Sequence, residues 1–417
     1  MSFLVDTDQP IVQKYGGTSV GSPDKIKRIA ARIKKIVEKN GSRIAVVVSA
    51  MSGETDRLVR LIKEINPALA DRNYDMAVAA GEQVSVALMA AALDTYGLKS
   101  KGFLAYQLGI LTYSAHSRAR IASIDCRALH RCWENGVIPV IAGFQGTTDS
   151  LDITTLGRGG SDTSAVALAV ALKAQCCEIN TDVCGVFSAD PRIVKNAILQ
   201  PQIDFEVALE MASLGSKVLH SRCVELAAKH RLPILVRSTF GSTHENGTLI
   251  MDVNDRDKLE ATMVTGVTLH RNIIKVSLQG LPTGGASIAN VFERVAAAGI
   301  NVDIIVHDQS HEEGKLNLGF TFDESELRLM EEEVCRWQKQ PDFADFKVYW
   351  ERGLAKVSVV GLGMQSNPGV AGKTFSALAA AGIEVKMIST SEIKISCVID
   401  GKIDQQAVQV LHEAFME

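Results

Sequence analysis

The chain has 417 residues, of which 46% are hydrophobic and 22% are charged, and its formal net charge at neutral pH is −4. This length accommodates two or three domains with a large core, and the weakly acidic balance argues against nucleic acid or an anionic membrane as a partner and favours small-molecule chemistry. The eight cysteines form no Cys-x-x-Cys pair, and the sequence has neither a basic, apolar leader nor about 18 consecutive apolar residues, so we expect a soluble protein of the reducing cytoplasm, without a zinc module or a disulfide framework.

The first predicted elements are a short strand, a glycine-rich loop and a helix. Lys14 stands just before Gly16 and Gly17, and Ser22 with Pro23 is typical of an N-cap followed by the first residue of a helix. The backbone N–H groups of such a loop, together with a helix N-terminus, form an anion site. The loop has the spacing neither of a Walker loop nor of a dinucleotide fingerprint. It is therefore either a polyphosphate site of another design or an ordinary turn with a surface lysine.

Helical and strand patterns then alternate along the chain. Apolar spacing predicts helices over residues 23–38, 74–96 and 163–174, and β-branched or apolar runs predict strands over 44–48, 137–144 and 176–180. This alternation indicates a mostly parallel sheet with helices on both faces. Ligands of such sheets bind beyond the carboxyl ends of the strands. Polar clusters follow three of the predicted strands, at 49–55, 143–148 and 181–182, so we expect the site there.

A second anion site is predicted at the sequence TTLGRGGSDT, residues 154–163, which runs directly into an apolar helix. Gly159 and Gly160 let the backbone approach a ligand, the helix dipole favours negative charge, and Arg158 offers a planar fork for a carboxylate or a phosphate. The plain alternatives are that Asp162 caps the helix and that Arg158 is a surface residue.

Two further groups of polar residues have candidate roles. Glu82 lies in an apolar helical segment, where a carboxylate needs a cationic partner. The candidate partners are the ammonium of a substrate, Lys14, Arg158, or the basic residue of a structural ion pair. Hydroxyl, acidic, aromatic and basic groups follow the strand at 176–180 and suit a nucleoside triphosphate, although this pattern alone is weakly specific: Thr181, Asp182, Phe187, Asp190, Arg192 and Lys217.

The region after about residue 265 contains an internal repeat. Residues 275–300 match residues 356–383, and the offset grows from 81 to 83 because the second copy has two extra loop residues. Each copy has the pattern of a strand, a glycine-containing turn, a helix, a glycine cap and a second strand, at 302–306 and at 385–388. Two copies of one small α/β module therefore follow the N-terminal domain, where they dimerise the chain, bind a regulatory ligand, or do both.

The motifs taken together resemble those of the aspartate kinases, in the amino-acid kinase superfamily. The matching segments are KYGGTSVGS, VVVSAMSGETDRL, GEQ, AGFQG, TTLGRGGSDTSA and ADPR, in the family's order, and the repeats resemble paired ACT regulatory modules. The resemblance covers almost the whole chain. It implies an amino-acid kinase domain over 1–262, with a mostly parallel sheet sandwiched by helices, and two small α+β ACT modules over 263–345 and 346–417. It also implies a monofunctional enzyme, because no homoserine dehydrogenase half follows.

The activity that the resemblance implies is phosphorylation of the L-aspartate side-chain carboxylate by ATP, which gives 4-phospho-L-aspartate for lysine, threonine and methionine synthesis. A carboxylate is already ionised at neutral pH, so the reaction needs positioning and charge neutralisation rather than a general base. In the roles carried over from the family, Lys14 contacts the transferring phosphoryl group and Mg²⁺ bridges the triphosphate, with no metal site made by the protein alone. The backbones of Gly16, Gly17, Gly159 and Gly160 contact phosphate oxygens.

The resemblance also implies the remaining roles. Arg158 clamps the α-carboxylate of aspartate, Glu82, with Asp162 as a possible second group, holds its ammonium, and Thr55 and Ser161 help to place it. The six residues from Thr181 to Lys217 line the nucleotide. Lysine, threonine or both inhibit through an effector edge made of Asn301, Val302, Asp303, His307, Glu384 and Val385, and the modules pair two chains into a homodimer. Whether a separate regulatory subunit is also translated stays open.

Some residues depart from the family pattern, and two rival functions remain. Cys184 and Phe187 stand where Asp and Tyr are common, and His307 stands where Gln is common, so the adenosine contacts and the effector are the least constrained predictions. One rival is a kinase for glutamate or another small acid. The other is a catalytically silent amino-acid sensor, which the intact set of Lys14, Glu82, Arg158 and Asp162 argues against.

Overall fold

The structure of the chain is a computed structural model that describes residues 9–40, 43–113, 115–214, 218–241, 247–252, 264–283, 285–309, 314–339, 346–362, 364 and 369–416. Lys217, predicted to bind the nucleotide, lies outside these residues. The chain divides into two compact units. The N-terminal unit comprises Met1–Ser188 and Ile198–Ala261, and the C-terminal unit comprises Ala189–Ala197 and Thr262–Glu417.

The described part of the N-terminal unit contains twelve strands and eight α-helices. The strands are β1 Ile11–Tyr15, β2 Ile44–Val48, β3 Ser100–Phe103, β4 Leu111–Thr112, β5 Ile121–Ser123, β6 Ile138–Ala142, β7 Gln145–Thr147, β8 Ile153–Thr155, β9 Cys176–Thr181, β10 Gln202–Ile203, β11 Ile234–Ser238 and β12 Thr248–Ile250. The helices are α1 Pro23–Asn40, α2 Glu54–Ile65, α3 Arg72–Val78, α4 Ala80–Thr95, α5 Arg127–Glu134, α6 Gly160–Ala171, α7 Phe205–Ser213 and α8 Ser221–His230.

An eight-stranded sheet forms the centre of this unit, in the order β10-β12-β11-β9-β1-β2-β6-β3. Every neighbouring pair is parallel except β11 and β12. Strands β1, β2 and β6 are buried along their whole length, which explains their mostly apolar sequences. The predicted mostly parallel sheet is thus confirmed. Because β9, β1, β2 and β6 are neighbours, the polar segments that follow them meet at one edge of the sheet.

Helix α1 shows how the local sequence forms the first layer. Its N-cap is Ser22, whose Oγ accepts a hydrogen bond from the N–H of Lys25 at 3.3 Å, and Pro23 is its first residue, as predicted. Ile26, Ile29 and Ile33 are buried in one core cluster with side chains of β2, β6 and α4. Each such fully buried side chain contributes about 2 kcal/mol relative to exposure, so the apolar stripe holds α1 on the sheet.

The predicted single helix over 74–96 is instead two helices, α3 and α4, with a break at Ala79, whose carbonyl accepts a hydrogen bond from Gln145 Nε2 at 3.2 Å. In the described part of the chain, one segment, Arg72–Thr95, is long and apolar enough to cross a membrane by length and composition alone. Half of its most apolar window is buried inside the protein, and Met89 and Leu93 of α4 belong to the same core cluster as α1. The segment formed by α3 and α4 is therefore packed against the core of the protein.

A smaller sheet of four strands, in the order β5-β4-β7-β8, lies in the same unit. Its strands β4 and β8 are joined by a buried contact of 2.6 Å between the hydroxyls of Thr112 and Thr154. Strand β8 leads through Leu156 into the glycine-rich segment that precedes α6. Helix α6 begins at Gly160, three residues before its predicted start, because Gly159 in the left-handed region supplies its N-cap.

The described part of the C-terminal unit contains six strands and four α-helices. The elements are β13 Gly266–Pro282, α9 Gly285–Ala297, β14 Ile305–Gln309, β15 Lys315–Asp323, α10 Leu327–Trp337, β16 Lys347–Val360, α11 Val370–Ala380, β17 Met387–Thr390, β18 Lys394–Asp400 and α12 Asp404–Met416. The strands form one antiparallel sheet in the order β14-β15-β13-β16-β18-β17. The sheet and the repeated strand–helix order confirm the predicted pair of α+β modules.

The two modules share their long strands, which differs from predicted boundaries at 263–345 and 346–417. The first half of β13 carries Val267 into the core cluster of the second module, whereas its second half carries Val276 into that of the first. Strand β16 begins in the first module, where Val348 packs, and ends in the second. Residues Ala189–Ala197 also depart from the predicted boundary at 262, because Ala189 and Val194 join the core of the second module.

Candidate active site

Lys14 is positioned by the central strand β1. Alternation along this strand puts Val12 and Lys14 on one face of the sheet and Gln13 and Tyr15 on the other. The Nζ atom of Lys14 lies 2.5 Å from Oδ1 of Asp162, and the two side chains are only 10% and 14% exposed. Low exposure makes this ion pair stronger than one on the surface. The structure therefore brings together two predicted site residues that are 148 positions apart in the sequence.

Asp162 lies in the first turn of α6, where backbone N–H groups and the helix dipole favour a bound anion. Gly159 and Gly160, which precede it, are glycines because neighbouring side chains lie too close to admit a Cβ atom. A Cβ atom on Gly159, whose φ is +68°, would lie 2.3 Å from Cβ of His220, and one on Gly160 would lie 2.7 Å from Cδ2 of Phe144. The predicted glycine-lined anion site is consistent with this geometry.

The loop after Lys14 lies against the ends of the neighbouring strands. The N–H of Gly16 donates to the carbonyl of Asn180 at 3.3 Å, and the carbonyl of Gly17 accepts from the N–H of Ser52 at 3.1 Å. A Cβ atom on Gly17 would lie 2.8 Å from the carbonyl oxygen of Ala50, so no larger residue fits without a shift. The loop is held close to both β9 and β2.

Glu82 is the most unusual group in this region. It is 3% exposed, and its Oε1 accepts a hydrogen bond from the N–H of Ala50 at 2.9 Å, while its Oε2 is buried without a hydrogen-bond partner among the described residues. Burial raises the pKa of this carboxyl to about 7, although the hydrogen bond from Ala50 opposes the shift. Among the described residues, neither Lys14 nor Arg158 forms an ion pair with Glu82, so two of the predicted partners do not fill that role. Its free oxygen is suited to a cationic ligand group.

The other predicted substrate residues lie around the same strand ends. Arg158 is exposed between two glycines with positive φ, Thr55 is half-buried in the first turn of α2, which follows β2, and Ser161 is half-buried in the first turn of α6. Ser161 packs against Gly143, where a Cβ atom would lie 2.9 Å from that of the serine.

The predicted nucleotide residues are spread over both units. Thr181 ends β9 next to β1, and its hydroxyl donates to Asp182 Oδ1 at 3.1 Å. Phe187 is half-buried and forms a backbone bridge with Leu199. Asp190 and Arg192 belong to the C-terminal unit, where their side chains pair with each other at 2.7 Å. Their role in nucleotide binding stays a prediction.

A buried polar network on the opposite face of the sheet was not predicted. Glu178 is fully buried in β9, and its Oε2 accepts from Gln13 Nε2 at 2.7 Å and from Arg237 Nη2 at 2.6 Å. Tyr15 donates to Gln13 Oε1 at 3.1 Å, and burial raises the pKa of its phenol well above the usual range. An acidic residue between the apolar residues Cys177 and Ile179 of a predicted strand was the available signal, because a buried charge needs a partner.

The predicted effector residues occupy equivalent places in the two modules. The first three, Asn301, Val302 and Asp303, precede β14, and His307 lies on β14, while Glu384 and Val385 precede β17. Both edge strands begin later than predicted, at Ile305 and Met387, so these residues lie in loops or on the edge. The N–H of Asn301 donates to the Glu326 carboxylate, and Asp303 pairs with Lys356, which is only 3% exposed.

The described residues contain no group of three or more His, Cys, Asp or Glu side chains that could hold a metal ion. Mg²⁺ is commonly bound through substrate phosphates with one or two carboxylates, rather than by a protein cage.

Comparisons with known proteins agree with the geometry. Residues 9–238 match the amino acid kinase family, and residues 357–415 match the ACT domain. The chain is 45% identical to the aspartokinase of Geobacillus stearothermophilus over 405 residues, which are 97% of each chain. It is similar to the R-state of E. coli aspartokinase III in complex with aspartate and ADP, with a TM-score of 0.79 and 26% identity, and to the T-state in complex with lysine and aspartate, with a TM-score of 0.74 and 26% identity. Each comparison covers 98% of this chain and 100% of the other.

Proposed function

This chain belongs to the aspartokinases, within the amino acid kinase family, and we propose on that premise how its site residues divide the reaction among them. The enzyme transfers the terminal phosphoryl group of ATP to the side-chain carboxylate of L-aspartate and forms 4-phospho-L-aspartate. The observation that supports the division of roles most directly is the Lys14–Asp162 pair at the first turn of α6.

Lys14 neutralises the phosphoryl group during transfer. Two anions must approach each other in this reaction, and a nearly buried ammonium lowers their repulsion far more than an exposed one would. Asp162 orients the ammonium in the free enzyme through the 2.5 Å contact. The backbones of Gly16, Gly17, Gly159 and Gly160 contact phosphate oxygens.

Aspartate is held by its α-carboxylate and its ammonium. Arg158 binds the carboxylate with its planar fork, since it projects from the loop at the start of α6. The unpartnered oxygen of Glu82 accepts the ammonium. Because Asp162 pairs with Lys14, Glu82 is the primary group for the ammonium. In the same proposal, Thr55 and Ser161 help to place the substrate.

ATP binds beside Thr181 and Asp182, and it enters as its complex with Mg²⁺. When bound, the ion would supply charge neutralisation of the triphosphate. Asp182 follows β9, and Lys14, which pairs with Asp162, lies on the neighbouring strand β1. Phe187, in the same unit, belongs to the proposed nucleotide side.

The reaction is tested by ADP release from purified protein with Mg-ATP, comparing aspartate with glutamate, each with and without lysine plus threonine. Turnover with aspartate alone, suppressed by an effector, is the expected result. Turnover with glutamate would mean that the enzyme has the same fold but a different substrate. No turnover with either acid would contradict the proposal and favour an amino-acid sensor.

Replacing Arg158 by alanine is expected to raise the KM for aspartate by a factor on the order of 100, because the charge-assisted fork to the carboxylate is lost. The KM for ATP should change by less than about twofold. Arg72, an exposed arginine paired with Asp152 in the same unit, provides the matched control Arg72→Ala, which should leave both constants unchanged. A rise confined to the KM for ATP would assign Arg158 to the phosphates instead.

Regulation operates through the ACT modules, and we propose lysine as the effector, alone or together with threonine. The two loops that precede β14 and β17 place Asn301 and Glu384 at equivalent positions of the two modules. An effector that binds one arrangement of the modules better than another shifts the equilibrium between them.

The variant Asn301→Ala is expected to raise the lysine concentration that halves activity by about tenfold, since one hydrogen bond to a charged ligand is lost. Each variant is compared with its own uninhibited rate. Arg328→Ala, which removes an exposed arginine of α10 paired with Glu332, is the control and should not change the sensitivity. Activity that stays flat in millimolar lysine and threonine would remove the proposed effectors.

We also propose that the ACT modules join two chains into a homodimer in the cytoplasm. The edge strands of the six-stranded sheet support this, because they expose Ile305, Val306 and Ile388 at 51%, 42% and 46%. Exposed aliphatic side chains on an open strand edge favour pairing with another chain.

A further inference from the structure

The direction of Arg158 is set by the two glycines beside it. Gly157 has a φ of +78° and Gly159 a φ of +68°. Each glycine has another group directly against it: a Cβ atom on Gly157 would lie 3.1 Å from the carbonyl oxygen of Ser117, and one on Gly159 would lie 2.3 Å from Cβ of His220. The placement of Ser117 and His220 therefore decides where the Arg158 backbone lies.

Ser117 is held in place by Asp75. This serine has a φ of +64°, a region that is unfavourable for a residue with a Cβ atom and persists only where the surroundings enforce it. Its N–H donates to both carboxylate oxygens of Asp75, at 3.0 and 3.1 Å, and His116 Nδ1 lies 2.9 Å from the same carboxylate. The Thr155 hydroxyl donates to Asp75 Oδ1 at 2.5 Å. Asp75 is fully buried and thus joins the 116–117 turn to the last residue of β8.

Arg222 holds the same two segments from the other side. Its Nη1 donates to the carbonyl of Leu156 at 2.8 Å, and its Nη2 donates to the carbonyl of Ala119 at 2.7 Å. Its backbone N–H donates to Nδ1 of His220 at 3.3 Å, which fixes the ring that packs on Gly159. One half-buried arginine therefore contacts both flanks of the Arg158 segment.

We propose that Asp75 and Arg222 are positioning residues, which together hold Arg158 in the geometry that binds the α-carboxylate of aspartate. The proposal rests on the proposed function of Arg158. A planar guanidinium must meet a carboxylate within a fraction of an ångström, and a support that is ordered before binding avoids the cost of ordering the loop afterwards. Asp75 and Arg222 do not touch the substrate and act only through the loop.

The test is a double-mutant cycle between Arg222→Gln and Arg158→Ala, read as kcat/KM for aspartate. Arg222→Gln alone is expected to lower this constant by roughly tenfold or more while the KM for ATP changes by less than about twofold. In the Arg158→Ala background, Arg222→Gln should lower it by less than about twofold, because a positioning residue has no effect once its target is absent. Asp75→Asn should lower kcat/KM for aspartate as Arg222→Gln does. Thr155→Val should also lower this constant, with a smaller loss of folding stability.

Arg32→Gln is the matched control. Arg32 is also partly buried and also donates to two backbone carbonyls, those of Ser238 and Thr239 at 3.1 and 2.6 Å, away from the Arg158 segment. The variant Arg32→Gln should leave kcat/KM for aspartate within about twofold of the value for the parent enzyme. In addition, guanidinium at low millimolar concentration should partly restore aspartate affinity to Arg222→Ala but not to Arg32→Ala.

Four results would overturn the proposal. An equal loss from Arg222→Gln in both backgrounds, or a loss of the same size in Arg32→Gln, would mean that the residue acts through general stability. A parallel rise in the KM for ATP would have the same meaning. If Arg158→Ala itself leaves aspartate binding unchanged, the proposed role of Arg158 fails first and the positioning role fails with it, a result distinct from the other three.

Discussion

Replacing Lys14 by alanine is expected to lower kcat by a factor on the order of 100 or more, with smaller changes in the KM values. The ammonium is nearly buried at the end of β1, so its interaction with the phosphoryl group is poorly screened. A contact that strengthens only as the two anions approach appears in kcat rather than in KM. The measurement is steady-state ADP release at saturating ATP and aspartate.

The Lys14–Asp162 pair requires a second variant. Removing Lys14 leaves the Asp162 carboxylate without its partner, 14% exposed and next to the proposed phosphate site, where it would repel the nucleotide. The double variant Lys14→Ala/Asp162→Asn removes that charge. It should regain affinity for ATP but not kcat, and recovery of kcat would contradict a direct role for Lys14.

Lys25 is the matched control for this prediction. Its Nζ donates to the carbonyl of Thr18 at 2.9 Å, so it is a cation of the same loop region that is bound to the backbone. Lys25→Ala should keep kcat within a few-fold of the parent. A loss like that of Lys14→Ala would mean that the loop needs positive charge in general, rather than one lysine in one place.

Replacing Glu82 by glutamine is expected to raise the KM for aspartate by a factor on the order of 100, since a buried charge partner of the substrate ammonium is lost. Glutamine keeps an oxygen for the N–H of Ala50, so the loop is preserved. Glu54→Gln is the control, because Glu54 begins α2 in the same region and is paired with Arg57 near the surface. It should leave the KM for aspartate unchanged.

The pH dependence should identify Glu82 as the group involved. Burial raises its pKa to about 7, so below that pH the carboxyl is protonated and neutral and no longer attracts the ammonium. For the parent enzyme, kcat/KM for aspartate should therefore fall by about tenfold per pH unit below 7, as expected for one free-enzyme group. Glu82→Gln should lose this dependence. A limb that persists in the variant would assign it to another residue.

Stability should change in the opposite sense from activity. The pKa of Glu82 is higher in the folded state than the usual carboxyl value, so the folded state binds the extra proton and loses stability as the pH rises from about 4.5 through about 7. Glu82→Gln removes this loss of folding stability, which is on the order of 3 kcal/mol once the carboxyl is fully ionised. Without ligands, the variant should therefore have a higher Tm than the parent at pH 8 and a similar one at pH 5. An equal Tm at both values would argue against a destabilising charge.

Most of the kinase fold was predictable from local patterns. The continuous β-branched run at Ile44–Val48 predicts a strand that is buried on both faces. The isoleucine stripe of α1 predicts a helix, because burial of one helix face imposes a period of 3.6. The glycine-rich loop after Lys14 is also a local signal, since a close backbone approach tolerates no side chain. The split of the helix at Ala79 was missed, because it involves Gln145 from another strand.

By itself, the sequence predicted the alternation of strands and helices in the N-terminal unit, the two glycine-rich loops and the repeated modules, because each of these patterns lies in residues that are close together in the chain. Only the tertiary structure decided that Lys14 pairs with Asp162, that Glu82 has a free oxygen, and that the modules share β13 and β16. It also decided that Asp75 and Arg222 form hydrogen bonds with the segments next to Arg158. The physical reason is that buried polar groups choose partners by position in space, and that position follows from how whole layers pack.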